Sequence, residues 1–307
     1  MYNLGGLQLW MTGMGIERGR VSGEDLVYSA DPLAKLLLGR LGLTPRGMAV
    51  AALAWGALYV VVLPAALGSL RSAGDYLGSL ADWHAQLLMF LVFPSACAFY
   101  AWQPRGIVRV YEAMGLPAAL PDLAKGYRSR AWPVLGLAVA VAVVLFDTPK
   151  MVASYGSWWM VENWMTILGR EGSLALAFYM MGMMAGRQFV TTLEWRRILA
   201  RPTAVSGLRA ASTYGLSLAL LLAVLGLRLS VEGIELPHRV GAITPDYYAK
   251  IAGYLLVGLV CFFSPLSSSL RRGHALGLNW LVVGLELLGI LSLPLLGFLL
   301  LRFLLRA

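Results

Sequence analysis

A polytopic α-helical membrane bundle of about seven spans, with its N-terminus in the cytoplasm, is the fold class this sequence predicts. Three observations lead there. Hydrophobic residues make up 59% of the 307 residues and charged residues only 13%, against about half and about a quarter in a typical soluble domain. The mean hydropathy is +0.70. The apolar residues also gather into discrete runs of about 20, the length that crosses a hydrocarbon core of about 30 Å.

Residues 1–47 read as a mixed cytoplasmic or interfacial segment, and residues 48–307 as the transmembrane bundle. No basic region, apolar core and cleavage site follow one another at the start, so no cleaved signal peptide is expected. Residues 24–42 alternate leucines with Lys35 and Arg40, the pattern of an amphipathic helix at the headgroups or of a loop packed on the bundle. The first span reads 48–70, the second 86–103 with Pro94 as a kink, and the third, short and Ala/Val-rich, 131–147. Tyr155, Trp158, Trp159 and Trp164 then mark a surface-lying segment, since these side chains favour the membrane–water interface. Four further spans read 172–193, 209–229, 247–266 and 278–301. Short linkers make chain neighbours antiparallel.

Orientation follows from the basic residues. The formal charge is +9, and Lys and Arg concentrate in alternate segments. Arg18, Arg20, Lys35, Arg40 and Arg46 precede the first span, and Arg105, Arg109, Lys125, Arg128 and Arg130 follow the second. Arg196, Arg197, Arg201 and Arg209 follow the fourth, and Arg271 and Arg272 the sixth. The intervening linkers hold only Arg71, Lys150, Arg170 and Arg239. Positive residues stay inside, which puts the N-terminus in the cytoplasm and the protein in the inner (cytoplasmic) membrane. Seven spans place Arg302 and Arg306 outside, against the same rule, so a re-entrant last segment and six spans stay open. Basic residues scattered between apolar runs form no single face for nucleic acid, and the expected partners are the lipid bilayer, further copies of the chain and other membrane subunits.

Candidate functional residues are few. Glu286 lies about eight residues into the last span, about 12 Å deep at 1.5 Å per residue. An intramembrane carboxylate is costly enough to face a cavity, the bundle or a counter-ion. It reads either as a pathway-lining group or as a structural acid. Arg187, near the cytoplasmic end of the fourth span, is the buried ion-pair candidate and the best partner for Glu286; snorkelling to the headgroups is its alternative. Pro294, with Ser292 beside it, frees a backbone carbonyl in the last span and makes a broken or gating helix. Gly182 and Gly186, four apart, let helix backbones approach closely within the bundle. His84, His238 and His274 share no depth, and Cys97 and Cys261 lie in separate spans. No metal ligand set, cofactor motif, catalytic triad or phosphate loop emerges.

Several stretches carry a likeness: Phe90-Leu91-Val92-Phe93-Pro94, Phe99-Tyr100-Ala101-Trp102, Ala185-Gly186-Arg187-Gln188, Tyr214-Gly215-Leu216-Ser217-Leu218 and Phe262-Phe263-Ser264-Pro265-Leu266. Over most of residues 30–280 the chain resembles a family of uncharacterised bacterial multi-pass membrane proteins. That family carries a His-Pro-Asp…Gly-Gly-Leu element where this chain has Arg201-Pro202-Thr203-Ala204-Val205-Ser206-Gly207-Leu208. The histidine, the aspartate and one glycine of that element are replaced here. In layout alone the chain is also similar to insect chemoreceptor channels, whose last helix lines a tetrameric pore. The functional expectation is a homo-oligomeric ion channel or ligand-gated pore lined by the last span. The alternatives are a small-solute or lipid transporter and a non-catalytic scaffold subunit of a larger membrane complex.

Overall fold

The computed structural model describes residues 31–66, 86–155 and 161–198, with separate positions between 210 and 254. Every regular element among these residues is helical. Helix α1 is a short α-helical turn, Pro32–Ala34, continued by π-helical turns over Lys35–Arg40. Asp31 caps it, accepting hydrogen bonds from the backbone N–H groups of Leu33 (3.0 Å) and Ala34 (3.2 Å), and Pro32 supplies a preset first helical residue. Gly42, at φ 62°, turns the chain out of α1. Residues 31–40 therefore leave the surface at one face, where Asp31, Ala34 and Leu38 are buried.

Helix α2 begins at Pro45 under a Thr44 cap and runs through Pro45–Ala57, π-helical turns at Leu58–Val62 and a last turn at Leu63–Ala66. Helix α3 opens with π-helical turns at Leu88–Val92 and continues as Phe93–Ala113. In both helices the widened turns end two residues before a proline, Pro64 or Pro94. Proline has no N–H to donate and its ring collides with the carbonyl four residues back. The wider i→i+5 ladder at this point takes up the disruption, and the helix carries on past Pro94.

A 3₁₀ turn at Pro117–Ala119 leads into α4, Leu120–Tyr127. Helices α5, Ala131–Tyr155, and α6, Val161–Ile198, follow. Two expectations change here. The third apolar run belongs to a helix of 25 residues, and Trp164 sits inside α6, whose 38 residues are continuous with the fourth run. The aromatic segment is thus no separate surface-lying element at Tyr155 and Trp164. Trp158 and Trp159 lie outside the described residues. The change has a simple cause: hydropathy reports the medium a side chain prefers, while the i→i+4 ladder passes through a polar interruption unaffected.

Three buried clusters stack along the bundle. Val60, Leu88, Met89, Val92 and Leu174, with Val143, Val224 and Leu225, form one end. Met48, Ala52, Phe93, Ala96, Tyr100, Ala177, Met180, Met184 and Leu221, with Trp132, form the middle. Ile107, Tyr111, Leu123, Tyr127 and Tyr214, with Val190, form the other end. Residue numbers rise along α3 and α6 in the direction in which they fall along α2, α5 and the segment containing Tyr214 and Leu225. Chain neighbours α2 and α3, and α5 and α6, thus run antiparallel. The α5–α6 contact is tight: a Cβ on Gly182 would lie 2.9 Å from the Gly136 Cα, and one on Gly186 would lie 2.6 Å from the Trp132 ring.

One helix among the described residues, Pro45–Val62, is long and apolar enough to cross a membrane. A second qualifies if Pro117–Tyr127 and Ala131–Phe146, bent by 53°, count as one span.

Candidate functional site: a buried carboxylate and guanidinium

Helix α6 buries an arginine one turn after two buried methionines, Met183 and Met184. Arg187 is 1% exposed and Asp31 fully enclosed; neither charge reaches solvent. They meet because α1 lays its N-terminus against the middle of the bundle, opposite the face of α6 that also carries Met180 and Met184. The Arg187 Nη2 donates to Asp31 Oδ2 at 2.5 Å, across 156 positions of sequence. Taking two such charges out of water costs several kcal/mol each, so the pair persists only with further hydrogen bonds.

Asp31 has them. The Tyr100 hydroxyl of α3 donates to the same Oδ2 at 2.5 Å, and the Tyr179 hydroxyl of α6 to Oδ1 at 3.4 Å. With the two cap N–H groups the carboxylate accepts from five donors. Three of them surround it from α3 and α6, and two come from its own helix. Arg187 is served less fully. Its guanidinium carbon stands 4.8 Å from the Tyr100 ring centroid, a cation–π contact, while its buried Nη1 has no hydrogen-bond partner.

The polar layer continues around this pair. Gln103, one turn beyond Tyr100, donates its amide to the Met184 carbonyl at 3.0 Å, and its buried Oε1 accepts from nothing. The Thr191 hydroxyl donates to the Arg187 carbonyl at 2.7 Å and is also hydrogen-bonded to the Tyr127 hydroxyl. Burial raises the Tyr127 hydroxyl above the ordinary tyrosine range, which keeps it neutral and able to donate. The Tyr214 hydroxyl donates to Gln188 Oε1 at 2.9 Å, and its ring stacks on Trp102 at 5.3 Å. Toward the opposite end of α6, Ser173 accepts from Trp55 Nε1 at 2.8 Å. Between the two polar layers α6 buries Leu174, Ala177, Met180 and Met183.

The structure therefore brings one of the sequence candidates to a charged site and two to a helix seam. Arg187 pairs with Asp31, and Gly182 and Gly186 pack on α5. Glu286, Ser292 and Pro294 lie outside the described residues, as does the expected Arg187–Glu286 contact. Sequence reasoning passed over Asp31, Tyr100, Tyr179 and Gln103. One local signal was available: an Asp immediately before a Pro and an apolar run is a helix start. That signal places Asp31 at a cap and says nothing of its second oxygen.

Chemically, the arrangement is a receptor for a carboxylate, with one cation and two phenols converging on it. Among the described residues no group of three or more His, Cys, Asp or Glu side chains is placed to hold a metal ion. In comparisons with known proteins, no protein family, curated protein or solved structure matches this chain.

Proposed function

We infer that the chain is a multi-pass protein of the inner membrane, with about seven spans, that passes ions through a homo-oligomeric pore lined by its last span. The observation that carries the membrane part of this reading is an inverted polarity. Val50, Val134, Leu145 and Phe146 are 65%, 65%, 66% and 68% exposed, while Asp31, Gln103, Arg187, Gln188 and Thr191 are buried. In water each exposed side chain would forfeit about 25 cal/mol per Å² of apolar area, and a polypeptide in lipid has the opposite preference. Two further features support it. The alternating helix directions are those of successive spans. The ends brought together around Arg187 are also the ones that the positive-inside count assigns to one side, namely the start of α2, the end of α3, the start of α5 and the end of α6.

Conduction rests on Glu286, an acid within an apolar run that also holds Ser292 and Pro294. Acidic rings in pores attract and desolvate cations. The test is cation flux into liposomes carrying the purified protein, beside its native mass in detergent. Glu286→Gln keeps size and hydrogen bonding and removes the charge. The expected outcome is an oligomer whose flux falls, or loses its pH dependence, at unchanged thermal stability. Flux no greater than in empty liposomes, or a change in stability without a change in flux, refutes the pore.

A second reading, a small-solute transporter, is favoured by the enclosure of the Asp31–Arg187 cluster. A charged site sealed from solvent fits a closed carrier better than an open channel. A monomer with saturable solute flux would decide for it.

A further inference from the structure

We propose that Arg187, Tyr100 and Tyr179 form a carboxylate-binding site that Asp31 fills from within the chain, and that a small free monocarboxylate such as formate or acetate can fill in its place. The proposal concerns binding and stands whether or not the chain conducts.

Three observations carry it. The first is the donor set. Arg187 Nη2, the Tyr100 hydroxyl and the Tyr179 hydroxyl converge on one carboxylate from two helices, α3 and α6, that also pack directly on one another. The second is the imperfect fit of the present occupant. A guanidinium and a carboxylate pair best as two parallel N–H···O bonds. Asp31 Oδ1 is held by the Leu33 and Ala34 N–H groups, so only Oδ2 reaches the guanidinium. Nη1, beside Nη2 on the same planar group, stays buried without a partner. A carboxylate free of the α1 cap can engage both nitrogens. The third is the slightness of the α1 docking. Apart from Asp31, the helix fully buries only Ala34 and Leu38, half-buries Leu33 and Leu37 on the same cluster, and leaves Leu36 45% exposed.

The experiment removes the internal carboxylate and supplies an external one. The full chain carrying Asp31→Ala is purified in detergent. Its thermal unfolding is followed in sodium acetate, sodium formate and sodium chloride at equal ionic strength and pH. The expected result is a Tm below that of the wild type that rises saturably in acetate and formate but not in chloride. The wild type should not respond, and Asp31→Ala combined with Arg187→Gln should lose the response. An equal Tm in acetate and chloride overturns the proposal, and so does an acetate response that survives Arg187→Gln. If the alanine variant does not fold, a second capping variant decides. Asp31→Asn would still occupy the space, so the deciding variant is Asp31→Ser, whose short hydroxyl keeps a cap, vacates the carboxylate's place, leaves the guanidinium without a counter-ion, and should still show an acetate-specific rise. Its absence there refutes the site.

Discussion

Replacing Asp31 takes two things away at once, a helix cap and a counter-ion, and the structure allows the two to be separated. Asp31→Asn preserves the cap, since asparagine accepts the same N–H groups, and leaves Arg187 as a buried cation whose remaining contact is the Tyr100 ring. Truncating one partner of a buried pair costs about 3–5 kcal/mol, and this variant belongs at that level. Asp31→Ala adds the lost cap, about 1 kcal/mol. The reverse change, Arg187→Met, is milder. Asp31 keeps two backbone N–H groups and two tyrosine hydroxyls and loses one charged hydrogen bond, about 1.5–3 kcal/mol. In the double variant Asp31→Asn, Arg187→Met no charge is stranded, so it should be more stable than Asp31→Asn alone. The coupling should be about 2 kcal/mol or more, since neighbours that share one network do not add. Equilibrium unfolding of the four proteins in mixed detergent measures it. Additivity within about 0.5 kcal/mol, or Arg187→Met costing more than Asp31→Asn, would refute the claim that five donors to the acid and a single acceptor for the base set the asymmetry.

Two other outcomes are expected from the described geometry, beside the flux and rescue experiments above. Gly182→Ala sets two opposing effects against each other. Helix propensity favours alanine by about 1 kcal/mol, while the new Cβ would sit 2.9 Å from the Gly136 Cα and overpack by about 1–3 kcal/mol, so Tm should fall. Gly172→Ala, with nothing within 4 Å of the added atom, should raise it, and an equal response at both positions would mean the α5–α6 seam is loose. Lys125, whose side chain is 74% exposed, tests orientation. As a cysteine in a background without Cys97 and Cys261, it should react with an impermeant thiol reagent in inverted vesicles and not on intact cells.

The helical class was legible in the spacing of apolar runs, because burial in lipid or in a bundle demands runs of that length. The start of α2 within three residues of its reading, and the α3 run around Pro94, came from the same signal. Arg187 stood out as a charge in an apolar stretch. Its counter-ion did not, for a physical reason. An acid stands out in a sequence when it interrupts an apolar run, whereas Asp31 lies outside every such run and is buried only because α1 folds back. Tyr100 and Tyr179 look like ordinary apolar-run aromatics until their hydroxyls are seen to share one oxygen pair. The extents of α5 and α6 were misjudged because polar residues and prolines lower hydropathy without breaking the backbone ladder.

The widened turns before Pro64 and Pro94 bear on how α2 and α3 meet. Residues 48, 52, 56 and 60 of α2 are buried at every fourth position. A uniform α-helix turns through about 400° in four residues, so such a stripe would swing by about 40° at each step and wind away from its neighbour. Turns with i→i+5 bonding hold more residues per revolution and slow that drift. The two loosened stretches lie side by side, with Val60 against Leu88, Met89 and Val92 and the Met89 carbonyl 2.8 Å from where a Gly56 Cβ would stand. Each works as a single-residue insertion absorbed within the helix, so an alignment that places a gap there would preserve the phase of both halves. A helical wheel drawn with one period through either helix would assign the residues beyond the insertion to the wrong face, by about 100°.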